Sequence, residues 1–197
     1  MMERPFSQAC ENNKEPILRV LRKHLATVDC VLEVGSGTGQ HAVHFAAGMP
    51  HLCWQCSDCP EYLPGIRSWL DWAALNNTPL PLQLDVNQPW PIDTAPAIFS
   101  ANTLHIMSWE EVEKFFAGMA GVLIDPGIVC IYGPFNYDGA YTSDSNARFD
   151  QMLRGRDPAS GIRDFEAVDG LARQIGLTLL EDYAMPANNR CLVWKRL

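Results

Sequence analysis

The sequence predicts one α/β domain in which helices cover both faces of a mostly parallel sheet. Short apolar segments that suit buried strands alternate with amphipathic helical segments over the first two thirds of the chain. A glycine-rich loop joins the first of these strands to the helix that follows it. The 197 residues contain no linker or internal repeat, so we expect a single domain over residues 1–197.

The elements of the first half follow from apolar runs bounded by helix and turn signals. A helix is predicted to begin at Pro16, since proline suits the first position of a helix. The next elements are strand 30–34, helix 40–47, strand 52–57, helix 63–75 and strand 80–84. The last of these contains Pro81, which is tolerated mainly in an edge strand because proline has no N–H to donate.

The second half begins with strand 97–101 and a helix that starts at Ser108, where Glu111 completes a capping box. A fifth strand, 128–132, follows the turn at Pro126 and Gly127. Residues 137–145 are rich in Gly, Asp, Ser and Thr and predict a long loop. The remaining elements are helices 146–153 and 165–175, and strands 177–184 and 190–195, which form an antiparallel hairpin across residues 185–189.

Composition and charge argue against several classes of function. The net charge of −8 and the scattered Lys and Arg residues argue against a nucleic-acid-binding surface. The longest apolar run, 115–124, is shorter than the ~18 residues that a membrane span needs. No signal peptide is evident, so we expect a cytoplasmic protein whose seven cysteines are free thiols. The expected partner is a small molecule or a protein side chain, without nucleic acid or membrane.

No metal site is predicted, although two spacings resemble one. Cys53, Cys56 and Cys59 form a C-x2-C-x2-C run, but residues three apart on a strand point to opposite faces. His41 and His44 lie three apart on a predicted helix and lack an acidic or cysteine partner at a suitable spacing. Packed thiols and exposed or capping histidines explain both patterns.

The most informative segment is the loop between the first strand and its helix, which has the pattern E-x-G-x-G-x-G. The residues of interest are Glu33, Gly35, Ser36, Gly37, Thr38 and Gly39. Glycine lets a ligand lie directly against the backbone, and the free N–H groups of the next helix suit a carboxylate. Dinucleotide sites usually have G-x-G-x-x-G, but Gln40 stands where the third glycine of that pattern would fall.

Two aspartates follow the next two predicted strands. Asp58 ends the second strand, 19 residues after Gly39, where a carboxylate can accept hydrogen bonds from both hydroxyls of a ribose. Asp85 ends the third strand. A turn residue explains either aspartate equally well when it is taken alone. Because the carboxyl ends of parallel strands meet at one edge, we expect the loop and both acids to face one ligand.

Together, the glycine loop and the two acids resemble the cofactor motifs of class I S-adenosylmethionine-dependent methyltransferases. The resemblance implies a Rossmann-like, seven-stranded sheet in the order 3-2-1-4-5-7-6, with the seventh strand antiparallel. It implies that Asp58 contacts the ribose of S-adenosyl-L-methionine and that Asp85 and Val86 contact its adenine. Asn102 is expected to contact the methionine end or to fix its own loop.

Five stretches are similar to a narrower family. They are FSQACENNKEPI (6–17), GTGQHA (37–42), WQCSD (54–58), ANTLHI (101–106) and YGPFN (132–136). They resemble domain-of-unknown-function family 938, the methyltransferase-like protein 26 family, over essentially the whole chain. The resemblance implies the methyltransferase fold and cofactor without naming a substrate. Cys56 departs from the family pattern, in which proline is expected.

Side chains that follow the fourth and fifth strands are candidates for the site of the methyl acceptor. Methyl transfer chiefly requires alignment, and a general base helps only when the acceptor carries a proton. His105 is the candidate base, although a packed or hydrogen-bonded histidine explains it as well. The candidates for substrate or lid contacts are Asn13, Lys14, Phe135, Asn136 and Tyr137. Residues 6–14, within the polar stretch 1–15, are interpreted as a lid over the cofactor or as a flexible terminus.

Two other functions remain open from the sequence. A non-catalytic subunit that binds S-adenosylmethionine and acts through a partner would explain the absence of an evident acid–base set. An NAD-dependent oxidoreductase is disfavoured by Gln40 and by the absence of a phosphate-type loop.

Overall fold

A computed structural model describes residues 4–196 and contains a seven-stranded sheet between two layers of helices. In chain order the elements are α1 (Gln8–His24), β1 (Cys30–Val34), α2 (Gln40–Gly48), β2 (Cys53–Asp58), α3 (Leu63–Ala73), β3 (Leu82–Gln83), β4 (Ala95–Ala101), α4 (Trp109–Val122), β5 (Leu123–Gly133), β6 (Phe135–Asn136), α5 (Asp144–Arg156), β7 (Arg163–Asp164), α6 (Phe165–Gln174), β8 (Leu177–Met185) and β9 (Asn189–Arg196). A short 3-10 turn, Pro186–Asn188, joins the last two strands.

The large sheet has the strand order β3-β2-β1-β4-β5-β9-β8. Numbered within this sheet alone, the order is 3-2-1-4-5-7-6, which confirms the predicted topology. β9 runs antiparallel to β5 and β8, and every other neighbouring pair in this sheet is parallel. The carboxyl ends of β1 to β5 therefore lie at one edge of the sheet.

Successive side chains of each strand point to opposite faces of the sheet, so the hydrophobic core has two parts, one on each face. Val31 and Trp54 pack beneath α1, α2 and α3, whereas Leu32 and Ile98 pack beneath α4 and α6. Trp54, Phe45 and Phe99 form an aromatic centre whose ring centroids lie 5.3 to 5.7 Å apart. Both faces of β1 are thus buried, and this strand is a rigid support for the loop that leaves it.

The first helix begins earlier than predicted, at Gln8 instead of Pro16. Ser7 caps it, because the Ser7 Oγ accepts a hydrogen bond from the N–H of Cys10. Pro16 lies inside the helix, where its missing N–H leaves the carbonyl of Asn12 without its helical donor. The sequence misses the first turns because they have no apolar stripe and dock through polar contacts.

Further boundaries differ from the prediction. The fifth strand begins at Leu123 instead of residue 128, so that Pro126 and Gly127 lie within it and not in a preceding turn. β3 is only Leu82–Gln83, and Leu80, which was predicted to lie in it, is 74% exposed. α5 begins at Asp144 because Ser143 accepts a hydrogen bond from the N–H of Asn146. β6 and β7 form a small parallel sheet that the sequence does not predict, since each has only two residues. The capping box at Ser108 and the hairpin of β8 and β9 are confirmed.

No helix within residues 4–196 is long and apolar enough to cross a membrane. Over the same residues, no three His, Cys, Asp or Glu side chains converge as metal ligands do. On β2, Cys53 is half-buried and Cys56 is buried, and both are free thiols.

Candidate functional site

A cavity of about 990 Å³ opens at the carboxyl ends of the central strands. Its walls come from the start of α1, the loop after β1, the ends of β2 and β3, the loop after β4, the start of α5 and the turn between β8 and β9. This volume is at the upper end of the range of small-molecule sites, which is about 300–1,000 Å³.

The glycine loop after β1 presents bare backbone to this cavity. Gly35 has a φ of 77° and Gly37 a φ of 56°, values that side chains rarely allow. A Cβ on Gly35 would lie 2.3 Å from the Thr103 Cγ2, whereas a Cβ on Gly37 would meet nothing within 4 Å. The carbonyl of Ser57 accepts hydrogen bonds from the N–H groups of Gly35 and Ser36, each at 3.0 Å. The loop is therefore held against β2 with open space above Gly37.

Glu33 and Gly39, two members of the predicted cofactor motif, do not line the cavity. Glu33 is buried beneath the loop, where its Oε2 accepts hydrogen bonds from the Ser36 Oγ at 2.8 Å and the Trp54 Nε1 at 3.0 Å. Burial raises the pKa of the Glu33 carboxyl to about 7, although both hydrogen bonds act in the opposite direction. Glu33 thus positions the loop from below. Gly39 packs against the backbone of Ile66.

We predict that Glu33→Gln removes a cost in stability that grows as the pH rises. Folding raises the pKa of Glu33 from 4.5 to about 7, so the folded protein favours the protonated carboxyl. The stability that this carboxyl contributes is fully present below pH 4.5 and is lost as the pH rises to 7. The difference in the free energy of unfolding between the parent and the variant should change by up to about 3 kcal/mol over this range. The glutamine oxygen can still accept from Ser36 and Trp54.

Urea denaturation at pH 5, 6, 7 and 8 measures this difference, and the comparison cancels the titration of the other groups. Asp71→Asn, which changes an exposed carboxyl on α3, is the matched control. Parallel stability curves for the parent and Glu33→Gln would contradict the prediction.

Carboxylates gather at one end of the cavity, where β2 and β3 end. Asp58, Glu61, Asp85 and Glu111 all line this end, together with Val86. The Asp58 Oδ2 accepts a hydrogen bond from the N–H of Gly37 at 2.7 Å, and its Oδ1 accepts one from the N–H of Cys59 at 2.7 Å. Burial raises the pKa of Asp58. This end of the cavity suits a ligand that presents hydroxyl and amino donors.

The first turns of α1 cover the glycine loop through polar contacts with α2. The Gln40 Nε2 donates to the Glu11 Oε1 at 2.9 Å, and the Gln40 Oε1 accepts from the N–H of Ser7. The Nε2 of His41 lies 2.6 Å from the Asn13 Oδ1. Asn13 lines the cavity, whereas Lys14 turns aside to pair with Glu11 and does not.

The chain before α1 crosses α3 as a short strap formed by Arg4 and Pro5. The guanidinium of Arg4 lies 5.0 Å from the ring centroid of Trp69 and 4.4 Å from that of Trp72. The Trp69 Nε1 donates to the carbonyl of Pro5 at 2.7 Å. The strap fixes the start of α1 against α3.

The loop after β4 forms the wall opposite the acidic end. Asn102 has a φ of 60°, and its N–H donates to the carbonyl of Tyr132 at 2.8 Å. His105 also lines the cavity, and its ring packs edge-on against Phe149 with centroids 5.3 Å apart. Burial lowers the pKa of His105 to about 4, and the nearby charge of Arg163 adds to this effect. The imidazole is therefore neutral at pH 7.

Residues 160–163 clamp this loop by its backbone. Four consecutive carbonyls, 104–107, each accept a hydrogen bond from this segment. Arg163 donates to Leu104 at 3.0 Å and also to Met107, Gly161 donates to His105 at 2.9 Å, and Ser160 donates to Ile106 at 2.9 Å. The clamp holds His105 at a set position beside the cavity.

Replacing Arg163 with glutamine should both destabilise the fold and raise the pKa of His105. We expect a loss of about 2–4 kcal/mol, because buried carbonyls lose their donor, and a pKa that moves up from about 4 because the neighbouring charge is gone. Arg163→Lys should lose stability yet keep the His105 pKa near the parent value. NMR titration of the histidine rings and urea denaturation measure the two effects.

Arg156→Gln, an exposed change on α5, serves as the control. An unchanged His105 titration in Arg163→Gln would show that the guanidinium does not act on the imidazole.

Three predicted substrate candidates after β5 point away from the cavity. Phe135 is in the core beneath α4 and α6, and Asn136 is buried on β6. The Tyr137 hydroxyl donates to the Asp182 Oδ2 at 2.8 Å, and its ring stacks on Phe165. The chain turns at Pro134 to pair β6 with β7, and this pairing carries all three side chains away.

Other residues complete the wall instead. Ile106, Tyr132 and Pro134 lie in the stretches 101–106 and 132–136 that resemble the family. The sequence does not point to Met107, Asn146, Phe149 or the turn residues Pro186, Ala187 and Asn189, most of which come from the last third of the chain, where no motif marks them. The structure does bring together Gly35, Ser36, Gly37, Thr38, Asp58, Asp85, Val86, Asn102, His105 and Asn13.

A family model described as a protein of unknown function, DUF938, matches residues 4–196. The chain belongs to the DUF938 family. The family description names no reaction, so the reaction of this DUF938 protein has to be inferred from the residues of its own cavity.

Several solved structures with the same fold are described as methyltransferases. An O-methyltransferase family protein from Burkholderia thailandensis matches 93% of the DUF938 protein with a TM-score of 0.82 and 16% identity. The S-adenosylmethionine-dependent methyltransferase SibL, solved in its apo form, matches 95% with a TM-score of 0.80 and 21% identity. An O-methyltransferase family 2 protein from Planctomyces limnophilus DSM 3776, solved with apigenin, matches 96% with a TM-score of 0.82 and 15% identity.

The DUF938 protein spans only 56%, 55% and 58% of these three chains, respectively. At these identities the similarity establishes the Rossmann-like fold of class I methyltransferases.

Proposed function

We propose that the DUF938 protein is an S-adenosylmethionine-dependent methyltransferase that acts on a small molecule or a protein side chain. The observation that carries this proposal is the bare backbone at Gly37, which faces open space beside the carboxylate of Asp58. Gln40 stands at the third glycine position of a dinucleotide loop, and its side chain is hydrogen-bonded to Ser7 and Glu11. A ligand with a nucleoside and an amino acid but no phosphate fits these residues.

Each part of the cofactor has candidate partners. The glycine loop and Asn102 would hold the amino-acid end, Asp58 the ribose, and Asp85 and Val86 the adenine. When bound, S-adenosylmethionine supplies an electrophilic methyl group. The chain's own contribution is to align an acceptor with that group and to exclude water from the cavity.

His105 is proposed to take the proton of the acceptor. Its imidazole is neutral at pH 7 because burial lowers its pKa to about 4, so a ring nitrogen can accept a hydrogen bond. The carbonyl clamp of residues 160–163 keeps the ring at the cavity wall while the acceptor binds.

The first turns of α1 are proposed to act as a lid. Ser7, Cys10 and Asn13 line the cavity, and two of them contact α2: the backbone N–H of Ser7 donates to the Gln40 Oε1, and the Asn13 Oδ1 lies 2.6 Å from the His41 Nε2. We predict that saturating S-adenosylhomocysteine slows amide hydrogen exchange in residues 8–14 by at least tenfold, since a bound ligand disfavours opening. Residues 17–24, in the buried half of the same helix, provide the internal control. Exchange that is unchanged over residues 8–14 would rule out a lid.

Calorimetry with S-adenosylmethionine, S-adenosylhomocysteine and NAD tests the proposed function. We expect measurable affinity for the first two ligands and none for NAD. Affinity for NAD alone would overturn the proposal in favour of an oxidoreductase.

A further inference from the structure

The two ends of the cavity differ in charge. The four carboxylates lie where β2 and β3 end and at the start of α4. Within the range 4–196, no Asp, Glu, Lys or Arg lines the other end, which follows β4 and β5. Arg163 lies behind that wall with its guanidinium donating to backbone carbonyls. An anionic or cationic acceptor would therefore lose its hydration there without gaining an ion pair.

The uncharged end, which we call the neutral wall, is rich in rings and apolar groups. It includes His105, Ile106, Met107, Tyr132, Pro134 and Phe149, and the uncharged amides of Asn102, Asn146 and Asn189 lie beside them. The rings of His105 and Phe149 meet edge-on at 71°, and both residues line the cavity. Flat aromatic ligands pack well against rings in such offset and edge-on arrangements.

His105 is the polar group of this wall that is best placed to take a proton. Among residues 4–196, no side chain or backbone group forms a hydrogen bond with its ring. Burial makes it a weak base, with a pKa of about 4. Its neutral ring can accept a hydrogen bond from an aromatic hydroxyl, whose proton leaves far more readily than that of an aliphatic alcohol.

We propose that the acceptor is an uncharged small molecule with an aromatic hydroxyl group, which binds against His105 and Phe149. This inference rests on the proposed function. The O–H bond breaks and its proton passes to a ring nitrogen of His105, from which it returns to water. The new O–CH3 bond forms as the S–CH3 bond breaks, and the electron pair of that bond stays on sulfur. The products are an aryl methyl ether and S-adenosylhomocysteine.

Calorimetry at saturating S-adenosylhomocysteine tests the acceptor class with four probes that share one fused-ring carbon skeleton and differ in charge or in aromaticity. The probes are 2-naphthol, 2-naphthoate, 2-naphthylmethylammonium and the saturated alcohol decahydro-2-naphthol. We expect 2-naphthol to bind at least tenfold more tightly than each of the other three. Equal or tighter binding of either ion, or of the saturated alcohol, would overturn the proposal.

Phe149→Ala tests the position of the ring. It should weaken the binding of 2-naphthol by about tenfold and leave the affinity for S-adenosylhomocysteine unchanged, which also shows that the variant is folded. Met152→Ala, at an exposed position of α5 outside the cavity, is the matched control and should change neither affinity. Binding of 2-naphthol that is insensitive to Phe149→Ala would overturn the assignment.

The two proposals fail in different ways. Binding of S-adenosylhomocysteine without any binding of 2-naphthol overturns the acceptor class alone. Absence of S-adenosylhomocysteine binding overturns the proposed function and, with it, this inference. A tyrosine-containing peptide that binds more tightly than 2-naphthol would instead place the acceptor in a protein.

Discussion

Replacing Gly37 with arginine should lower the affinity for S-adenosylhomocysteine by more than 100-fold while leaving the fold intact. A Cβ on Gly37 meets nothing within 4 Å, so the new side chain extends into the cavity instead of clashing with the protein. The φ of 56° adds about 1–2 kcal/mol of backbone strain, which a folded domain tolerates. Calorimetry measures the affinity, and thermal unfolding checks the fold.

Gly139→Arg is the matched control for this substitution. Gly139 has a φ of 71° and open space around its Cβ position, but it lies in the loop before α5, outside the cavity. The control therefore carries the same strain without filling the site. Affinity in Gly37→Arg within threefold of the parent would show that no ligand lies on this loop.

Asp58→Asn should weaken S-adenosylhomocysteine binding by about 10- to 100-fold. A hydrogen bond to a charged group contributes about 1.5–3 kcal/mol, and the neutral amide loses that contribution. Asparagine keeps one side-chain oxygen for the N–H of Gly37, so the glycine loop should retain its position. Asp93→Asn, an exposed change in the segment between β3 and β4, is the control.

The same variant can show which part of the ligand Asp58 contacts. If its carboxylate holds the ribose hydroxyls, the loss caused by Asp58→Asn should shrink for the 2′-deoxy analogue of S-adenosylhomocysteine. An equal loss for both ligands would place Asp58 elsewhere in the site.

The strands and helices could be predicted because apolar runs and helical stripes are local properties of the chain, whereas the order of the strands in the sheet is what the resemblance to class I methyltransferases implies. β1 and β2 are short runs buried on both faces, and Pro81 marks the edge at β3. The end of the cavity proposed to hold the cofactor was also predictable, since Gly37 lies in the loop that leaves β1 and Asp58 is the last residue of β2.

The acceptor end could not be predicted in the same way. Phe149 reaches the cavity only because α5 returns to the carboxyl edge of the sheet, a long-range arrangement that leaves no periodic signal. The clamp on the loop of His105 was equally hidden, because most of its contacts are made to backbone carbonyls. Tyr137 was wrongly predicted to reach the acceptor site because it follows β5 in the sequence. Its hydroxyl instead donates to Asp182, away from the cavity.

Sequence also could not distinguish a buried acid from a ligand contact at Glu33. The E-x-G-x-G-x-G pattern places an acid before the loop, but only the packing of Trp54 and Ser36 against it shows that it faces inward. An acid can therefore belong to a binding motif by supporting the backbone that does the binding.

The position of Pro16 within α1 has a kinetic consequence. The residues after it, such as Ile17 and Leu21, are anchored in the core, whereas those before it dock through polar contacts. The helix therefore has a weak joint near its middle, where one backbone hydrogen bond is missing. Uncovering the glycine loop then requires release of the Arg4 and Pro5 strap and a helix–coil transition of about two turns, with no movement of the sheet. Under the proposed function, the replacement of S-adenosylhomocysteine by S-adenosylmethionine should accordingly follow the opening equilibrium of that short segment.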